Sequence, residues 1–298
     1  MDDVDEAIAE LLQRNGRLTH AQIAQAVRLS RSSAAARTQR LLDTGQVQVR
    51  GVVHPAVVGR GSLAYVRLMV RGGAATVAAR VAERSDTPLV SLTTGRHAIV
   101  AEVRSGSPLE IDRAVGELRA LEGVQGVDTL SYVELVRDVI GPVGEVSYEV
   151  DPTDLALLRG LQEDGRASYV DLAALVGLSP AGARRRVLRL LEEQVLRIGA
   201  VVRPREGGTH PAVGLGLRLD GHHRDVVTAL GSMPSVTFVA RTMGRFDVLV
   251  TMRARTTASL MASLEAVRAL PGVNDVDSWT HLSVVKESYA AAGLGVGS

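Results

Sequence analysis

The strongest constraint in this sequence is that it repeats itself. Asp5 to Pro55 aligns without a gap on Asp154 to Pro204, an offset of 149 (154 − 5). In the first stretch LLQRNGRLTHAQIAQAVRLSRSSAAARTQRLL stands against GLQEDGRASYVDLAALVGLSPAGARRRVLRLL in the second. The same offset brings Gly95-Arg96 onto Gly244-Arg245, Arg119-Ala120-Leu121 onto Arg268-Ala269-Leu270, and Gly123-Val124 onto Gly272-Val273. Such a period is domain-sized, unlike the about 20–50 residues of a solenoid. The expectation is an α+β chain made by tandem duplication of one two-module unit. The predicted modules are winged helix-turn-helices over 1–55 and 146–207 and ferredoxin-like sensor domains over 60–140 and 210–289. Gly141-Pro142-Val143-Gly144 suits the seam, and Ala290 to Ser298 reads as a frayed tail.

The first module of each unit reads as three helices and a wing. Asp151-Pro152 is an N-cap followed by proline at the first helical position. Leu155, Leu158 and Leu161 then recur at helical spacing up to Gly165, as Ile8, Leu11 and Leu12 do up to Gly16. Thr19-x-x-Gln22 and Ser168-x-x-Asp171 are capping-box patterns opening a second helix. A short turn, Arg28-Leu29-Ser30 or Gly177-Leu178-Ser179, leads to a third helix that Ser30 or Ser179 can cap. Ala34, Thr38 and Leu41, like Ala183, Val187 and Leu190, form its inner face at i, i+4, i+7. Apolar strands near Val47–Val53 and Leu196–Val202 are predicted to form the wings.

The third helix carries the case for double-stranded DNA as partner. A helix-turn-helix inserts the N-terminal end of its second helix into the major groove. That end presents Arg31, Ser32, Ser33, Ala35 and Ala36 in one copy, and Ser179, Pro180, Ala181, Gly182, Arg184 and Arg185 in the other. Arg37 and Arg40, with Arg186 and Arg189, add positive charge for phosphate contacts. The bland alternative is a solvated arginine face on a helical bundle. The cap, tight turn and apolar stripe, each present twice, favour the DNA reading.

After each predicted wing the period changes. Leu63–Val70, Leu89–Thr94, His97–Arg104 and a last strand from Val124 alternate with helices over Ala74–Glu83 and Ile111–Leu121. The second copy repeats the order with Val213–Leu219, His222–Gly231, Ser235–Thr242, Phe246–Arg253, Thr257–Leu270 and Val273–Val285. This β-α-β-β-α-β order is ferredoxin-like. Such a sheet exposes its other face unless something covers it, so association through the sensor sheets is expected.

Taken together, these strings resemble the Lrp/AsnC (feast/famine) family. LxxLQEDGRxSYxDLAxxVGLSPxxxxRRVxRLE is very close to Leu158–Glu192. The sensor signature TGxxDxxxxV and LPGVxxVxT is visible in Thr242-Met243-Gly244-Arg245-Phe246-Asp247 and in Leu270-Pro271-Gly272-Val273. The first copy departs from it: Arg28 replaces the turn glycine, and Gly95-Arg96-His97-Ala98 lacks the aspartate. The resemblance implies a transcriptional regulator that binds DNA and an amino acid or related metabolite, and that assembles through its sensor domains. Two fused units then imply a pseudo-dimer within the chain, with an asymmetric operator. The implied effector site is Thr94, Gly95 and Arg96 with Met243, Gly244, Arg245, Phe246 and Asp247. The turn arginines either pair with a ligand carboxylate or are exposed turn residues. Asp247 is open to a structural role.

Composition fits this reading. Hydrophobic residues make up 46% and charged ones 22%, which excludes wholesale disorder. The net charge of +1 decides nothing about nucleic acid, so the placement of the arginines matters more. The absence of cysteine removes thiolate metal sites and cysteine nucleophiles and suits a cytoplasmic setting. No membrane span or signal peptide is apparent. No catalytic residue, metal site or cofactor is expected. The rival class is an enzyme resembling the sirohaem decarboxylases, which share the architecture and a run like Leu196–Arg203. Against it, His20, His54, His97, His210, His222, His223 and His281 follow no repeat.

Overall fold

The computed structural model describes residues 1–138, 141–202, 212–221, 224–254 and 256–288. The first segment runs α1 (Asp3–Arg14), α2 (His20–Val27), α3 (Arg31–Asp43) and β1 (Val47–Val53). Then come β2 (Ser62–Val70), α4 (Ala74–Glu83), β3 (Leu89–Thr93), β4 (Ile99–Ser105), α5 (Pro108–Ala120) and β5 (Val124–Arg137). The order recurs as α6 (Pro152–Glu163), α7 (Tyr169–Val176), α8 (Pro180–Glu192) and β6 (Leu196–Val202). It finishes with β7 (Ala212–Leu219), α9 (Arg224–Ser232), β8 (Val236–Met243), β9 (Val248–Arg253), α10 (Thr257–Arg268) and β10 (Val273–Glu287). His210, His222, His223 and the tail Ala290 to Ser298 lie outside the described residues.

The caps explain where the helices begin. Asp2 and Asp151 open α1 and α6 through capping boxes closed by Asp5 and Asp154, and Thr19 opens α2 with Gln22. Ser30 and Ser179 accept from the backbone N–H of Ser33 and Gly182 at 3.1 Å each. Both second helices end on a left-handed residue, Gly177 at φ 66° and Arg28 at φ 56°. A side chain is strained there, so Arg28→Gly should raise stability by roughly 0.5–1 kcal/mol after the entropy glycine adds to the unfolded chain. Denaturant titration reads this directly; a loss of stability would show that the Arg28 side chain contributes more than its backbone strain costs.

The two helical segments form one compact unit and the two sheet segments another. In the helical unit a single core holds Ile8, Leu12 and Leu41 together with Leu158, Leu161 and Leu190. Here the structure corrects an expectation: β1 and β6 are not wings. They pair with each other, antiparallel, from Val47 opposite Val202 to Val53 opposite Leu196. Among the described residues each segment supplies one seven-residue strand, and its partner comes from the other repeat. Arg50 lies opposite Gly199, its own repeat equivalent, which gives the ladder a local two-fold centre. Reciprocal bonds flank it: Gly16 N–H donates to Ile198 O at 2.9 Å and Gly165 N–H to Val49 O at 3.1 Å. Arg166 reaches Gly16 O at 2.8 Å, and Arg17 reaches Ala167 O. A Cβ on Gly165 would sit 3.0 Å from the Arg50 backbone, so the close crossing favours glycine there.

In the sheet unit each half has the ferredoxin-like strand order, β5-β2-β4-β3 and β10-β7-β9-β8. The halves join through β5 with β8 and β3 with β10, both antiparallel, and close an eight-stranded barrel. The sheet face expected to be covered by association is thus covered within the chain by the other half, and closure leaves the eight strands no free edge to pair with a second molecule. Alternation along the strands sends Ala64, Val66 and Leu68 to the helix-covered face with Val81 and Leu118. Leu215, Leu217, Val248 and Val250 do the same in the second half. The other face closes around Tyr65, Val100, Leu130, Phe246, Leu249 and Trp279.

Candidate nucleic-acid interface and effector site

The expected DNA-contacting residues separate into two groups. At the start of α3, Arg31, Ser32, Ser33 and Ala36 are exposed and Ala35 is half-buried. At the start of α8, Ser179, Pro180, Ala181, Arg184 and Arg185 are exposed. Arg184 and Arg185 occupy the places of Ala35 and Ala36 in the first copy. Ser179, and Ser30 before it, are spent on capping.

Arg37, Arg40, Arg186 and Arg189 face a different task. Arg37 Nη1 lies 2.6 Å from Asp2 and 2.8 Å from Asp5, and Arg40 Nη2 lies 2.6 Å from Asp5. In the second copy Arg186 Nη1 meets Asp151 at 2.6 Å and Asp154 at 2.8 Å. Arg189 stacks over the Tyr148 ring at 4.9 Å, and the Tyr148 hydroxyl donates to Asp154 at 2.9 Å. Arg37 and Arg40 thus clamp α3 to the start of α1 and Arg186 clamps α8 to the start of α6, while Arg189 packs on Tyr148 just before α6. The Asp154 N–H, then Arg186, hold the Asp151 carboxyl below its ordinary range. Sequence reasoning missed the clamp; it read Asp151 as an N-cap but not Asp2, Asp5 or Asp154 as partners of the arginines.

The two turns expected to bind an effector share one hydrogen-bond pattern. Thr93 Oγ1 donates to His97 O and Thr242 Oγ1 to Phe246 O, at 2.7 Å each. Gly95 at φ 90° and Gly244 at φ 145° shape the turns. Thr94 bonds to the Thr280 backbone, its N–H donating at 3.0 Å and its Oγ1 accepting at 2.9 Å. Asp247 Oδ2 accepts from Leu219 N–H at 2.8 Å, which gives it a structural bond. Met243, Arg96 and Arg245 are exposed, whereas Phe246 is buried.

Phe246 leads to a residue the sequence did not single out. Arg67, 5% exposed, lies 4.7 Å from the Trp279 ring and 5.3 Å from the Phe246 ring. Asp277 stands 3.4 Å away and Asp128 3.9 Å. Arg67 Nε and Nη1 make no hydrogen bond. His97, half-buried, is held below its ordinary pKa by burial first, then by Arg67, with Arg96 and Arg245 adding to the effect against Asp128. Further along the barrel, buried Glu102 pairs with Arg104 and accepts from the Tyr132 hydroxyl at 3.3 Å.

His281 Nδ1 lies 3.0 Å from Ser91 Oγ, and burial with Arg253 nearby pushes its pKa down to about 4. The unfolded chain binds this proton more readily, so His281 costs stability progressively as pH falls from about 6.5 to about 4. Burial raises the Glu102 and Glu287 carboxyls, and these act in the opposite sense. The His281→Gln variant should therefore lose less stability between pH 7 and pH 5 than the parent. An equal loss in both would contradict the assignment.

Comparison with known proteins follows the same division. Residues 1–42 and 150–191 match the AsnC-type helix-turn-helix domain, and residues 213–291 match the Lrp/AsnC ligand binding domain. The HTH-type transcriptional regulator FL11 of Pyrococcus furiosus is 26% identical over 140 residues, 46% of this chain and 93% of the relative. The leucine-responsive regulatory protein of Escherichia coli is 30% identical over 146 residues, 47% of this chain and 89% of that protein. The siroheme decarboxylase NirDL, solved with an iron-uroporphyrin III analogue, shares the fold at TM-score 0.62 and 13% identity. That match covers 96% of this chain and 93% of that one.

Proposed function

The chain belongs to the Lrp/AsnC family of transcriptional regulators, and we infer from this that one molecule does the work of a regulator dimer. Each regulator relative nearly fills its own length while spanning less than half of this chain. That supports a tandem duplication, in which the paired helical segments present α3 and α8 as two recognition helices of one pseudo-dimer. The carrying observation is the β1–β6 ladder with its reciprocal glycine and arginine bonds, centred on Arg50 and Gly199. Residues 1–55 and 146–207 act as the DNA-binding modules, and 60–140 and 210–289 as the sensor.

The two helices are unequal. One carries Arg31, Ser32 and Ser33, the other Arg184 and Arg185. An operator for this protein is accordingly asymmetric, with guanine favoured under α8, which carries the Arg184-Arg185 pair. Arg37, Arg40, Arg186 and Arg189 support the interface by fixing the helices. A small metabolite at the two turns modulates binding. With both sheet edges consumed, assembly of several chains uses other surfaces. No helix of the described residues is long and apolar enough to cross a membrane, in keeping with a cytoplasmic regulator.

The test is equilibrium binding to DNA upstream of the protein's own gene, between about 50 and 200 mM salt, where a protein making 6–10 phosphate contacts loses roughly 10³–10⁵ in affinity. Weak, salt-insensitive binding would refute the reading. The fold shared with the siroheme decarboxylase along nearly the whole chain sustains a second reading as an enzyme on this architecture. Titration with an iron-uroporphyrin analogue decides it: a saturable shift of the porphyrin absorption band would revive that reading, and an unchanged spectrum would retire it.

A further inference from the structure

The repeat relates the sensor halves position by position, yet their inward-facing residues differ. Arg67 corresponds to Gly216, His97 to Phe246, and Leu130 to Trp279, whereas Asp128 and Asp277 correspond to each other. The Phe246 ring covers the place a side chain at 216 would take: a Cβ there would lie 2.4 Å from it. Of the two equivalent positions, 67 and 216, only the first therefore carries an arginine. That arginine is held between an aspartate of each half, with Nε and Nη1 making no hydrogen bond.

The exposed ends of the two turns converge on the same place. Arg67 and Arg245 sit against the same ring, Phe246, at 5.3 and 5.7 Å. Arg96, Arg245 and Arg67 all act on half-buried His97. Three guanidiniums outnumber the two carboxylates. One cation is buried and poorly bonded, and two are exposed on turns from different halves. A buried guanidinium with two unbonded nitrogens favours an acceptor ligand, and the exposed guanidiniums of Arg96, which bonds only Met69 Sδ among the described residues, and of Arg245 can add charge-assisted bonds to it.

We propose that Arg67, Arg96, Arg245 and His97 form one binding site per chain for a small, multiply charged oxyanion, a polycarboxylate or a phosphorylated metabolite. The proposal rests on reading the two turns as the effector site and specifies its ligand. Arginine on both turns selects for negative charge rather than for an amine. The asymmetry of the halves sets the stoichiometry at one, since the second half has glycine where the first has Arg67.

Calorimetric titration of the full chain with citrate, with pyrophosphate and with leucine, at constant ionic strength, tests this. One citrate or pyrophosphate per chain is expected, and the tighter of the two tells carboxylate from phosphate. Arg96→Ala and Arg245→Ala should each weaken it about tenfold, the scale of one charge-assisted contact. Both side chains are exposed, so the fold should survive these changes. The Arg184→Ala/Arg185→Ala variant should leave uptake unchanged. The proposal fails if neither anion binds saturably, if leucine binds more tightly than both, or if uptake follows Arg184 and Arg185 instead of the turn arginines. DNA binding measured on the same samples reports on the regulator reading separately.

Discussion

Replacing Arg184 and Arg185 together by alanine should lower operator affinity roughly 10- to 100-fold, about 1–3 kcal/mol, and flatten its salt dependence by one to two ions. The reason is local. Both side chains are exposed on the first turns of α8, and among the described residues neither is held by an ion pair, in contrast to Arg186 beside them. The thermal midpoint should hardly move, because the two residues bury nothing. The same change imitates the first copy, where these positions are Ala35 and Ala36. Unchanged affinity would mean that α8 does not face DNA. A large fall in stability would mean that the loss of affinity reports unfolding.

Asp154→Ala should do the reverse, destabilising the helical unit by about 2–3 kcal/mol, the scale of an ion pair broken at a buried carboxylate and softened by an exposed partner. Asp154 is 1% exposed and serves Arg186, the Tyr148 hydroxyl and the α6 cap at once. Asp5→Ala removes the corresponding anchor of Arg37 and Arg40 and should cost a similar amount. Because Asp154 and Arg186 act as a unit, the double variant Asp154→Ala/Arg186→Ala should lose less than the sum of the single losses. Denaturant unfolding of the four proteins measures this; strict additivity would show that the clamp contributes nothing as a pair.

These two experiments mark where sequence reasoning stops. The capped helices, the tight turns and the βαββαβ order were legible because each depends on residues a few positions apart. Whether Arg184 or Arg186 meets solvent was not, since both lie on one helix and their difference depends on Asp151 and Asp154 at the start of another. The wings failed for a related reason. Val47–Val53 is an apolar strand whose partner is its repeat equivalent, and pattern alone gives a strand without saying what pairs with it. Arg67 alternates with Ala64, Val66 and Leu68, and in an isolated sheet that face would be solvated. Barrel closure buries it and brings it beside the two turns. The turns themselves were visible from Gly95-Arg96 and Gly244-Arg245, but their convergence depends on how the two halves join.

The central claim is that one chain binds DNA as a pseudo-dimer of unlike recognition helices. Selection of binding sites from random duplex DNA with the purified full-length protein tests it most directly. The account predicts an enriched, asymmetric site of two different half-sites, with the guanine-bearing half weakened in the Arg184→Ala/Arg185→Ala variant. A perfect palindrome would contradict the unequal helices, and no enrichment at all would contradict sequence-specific DNA binding itself.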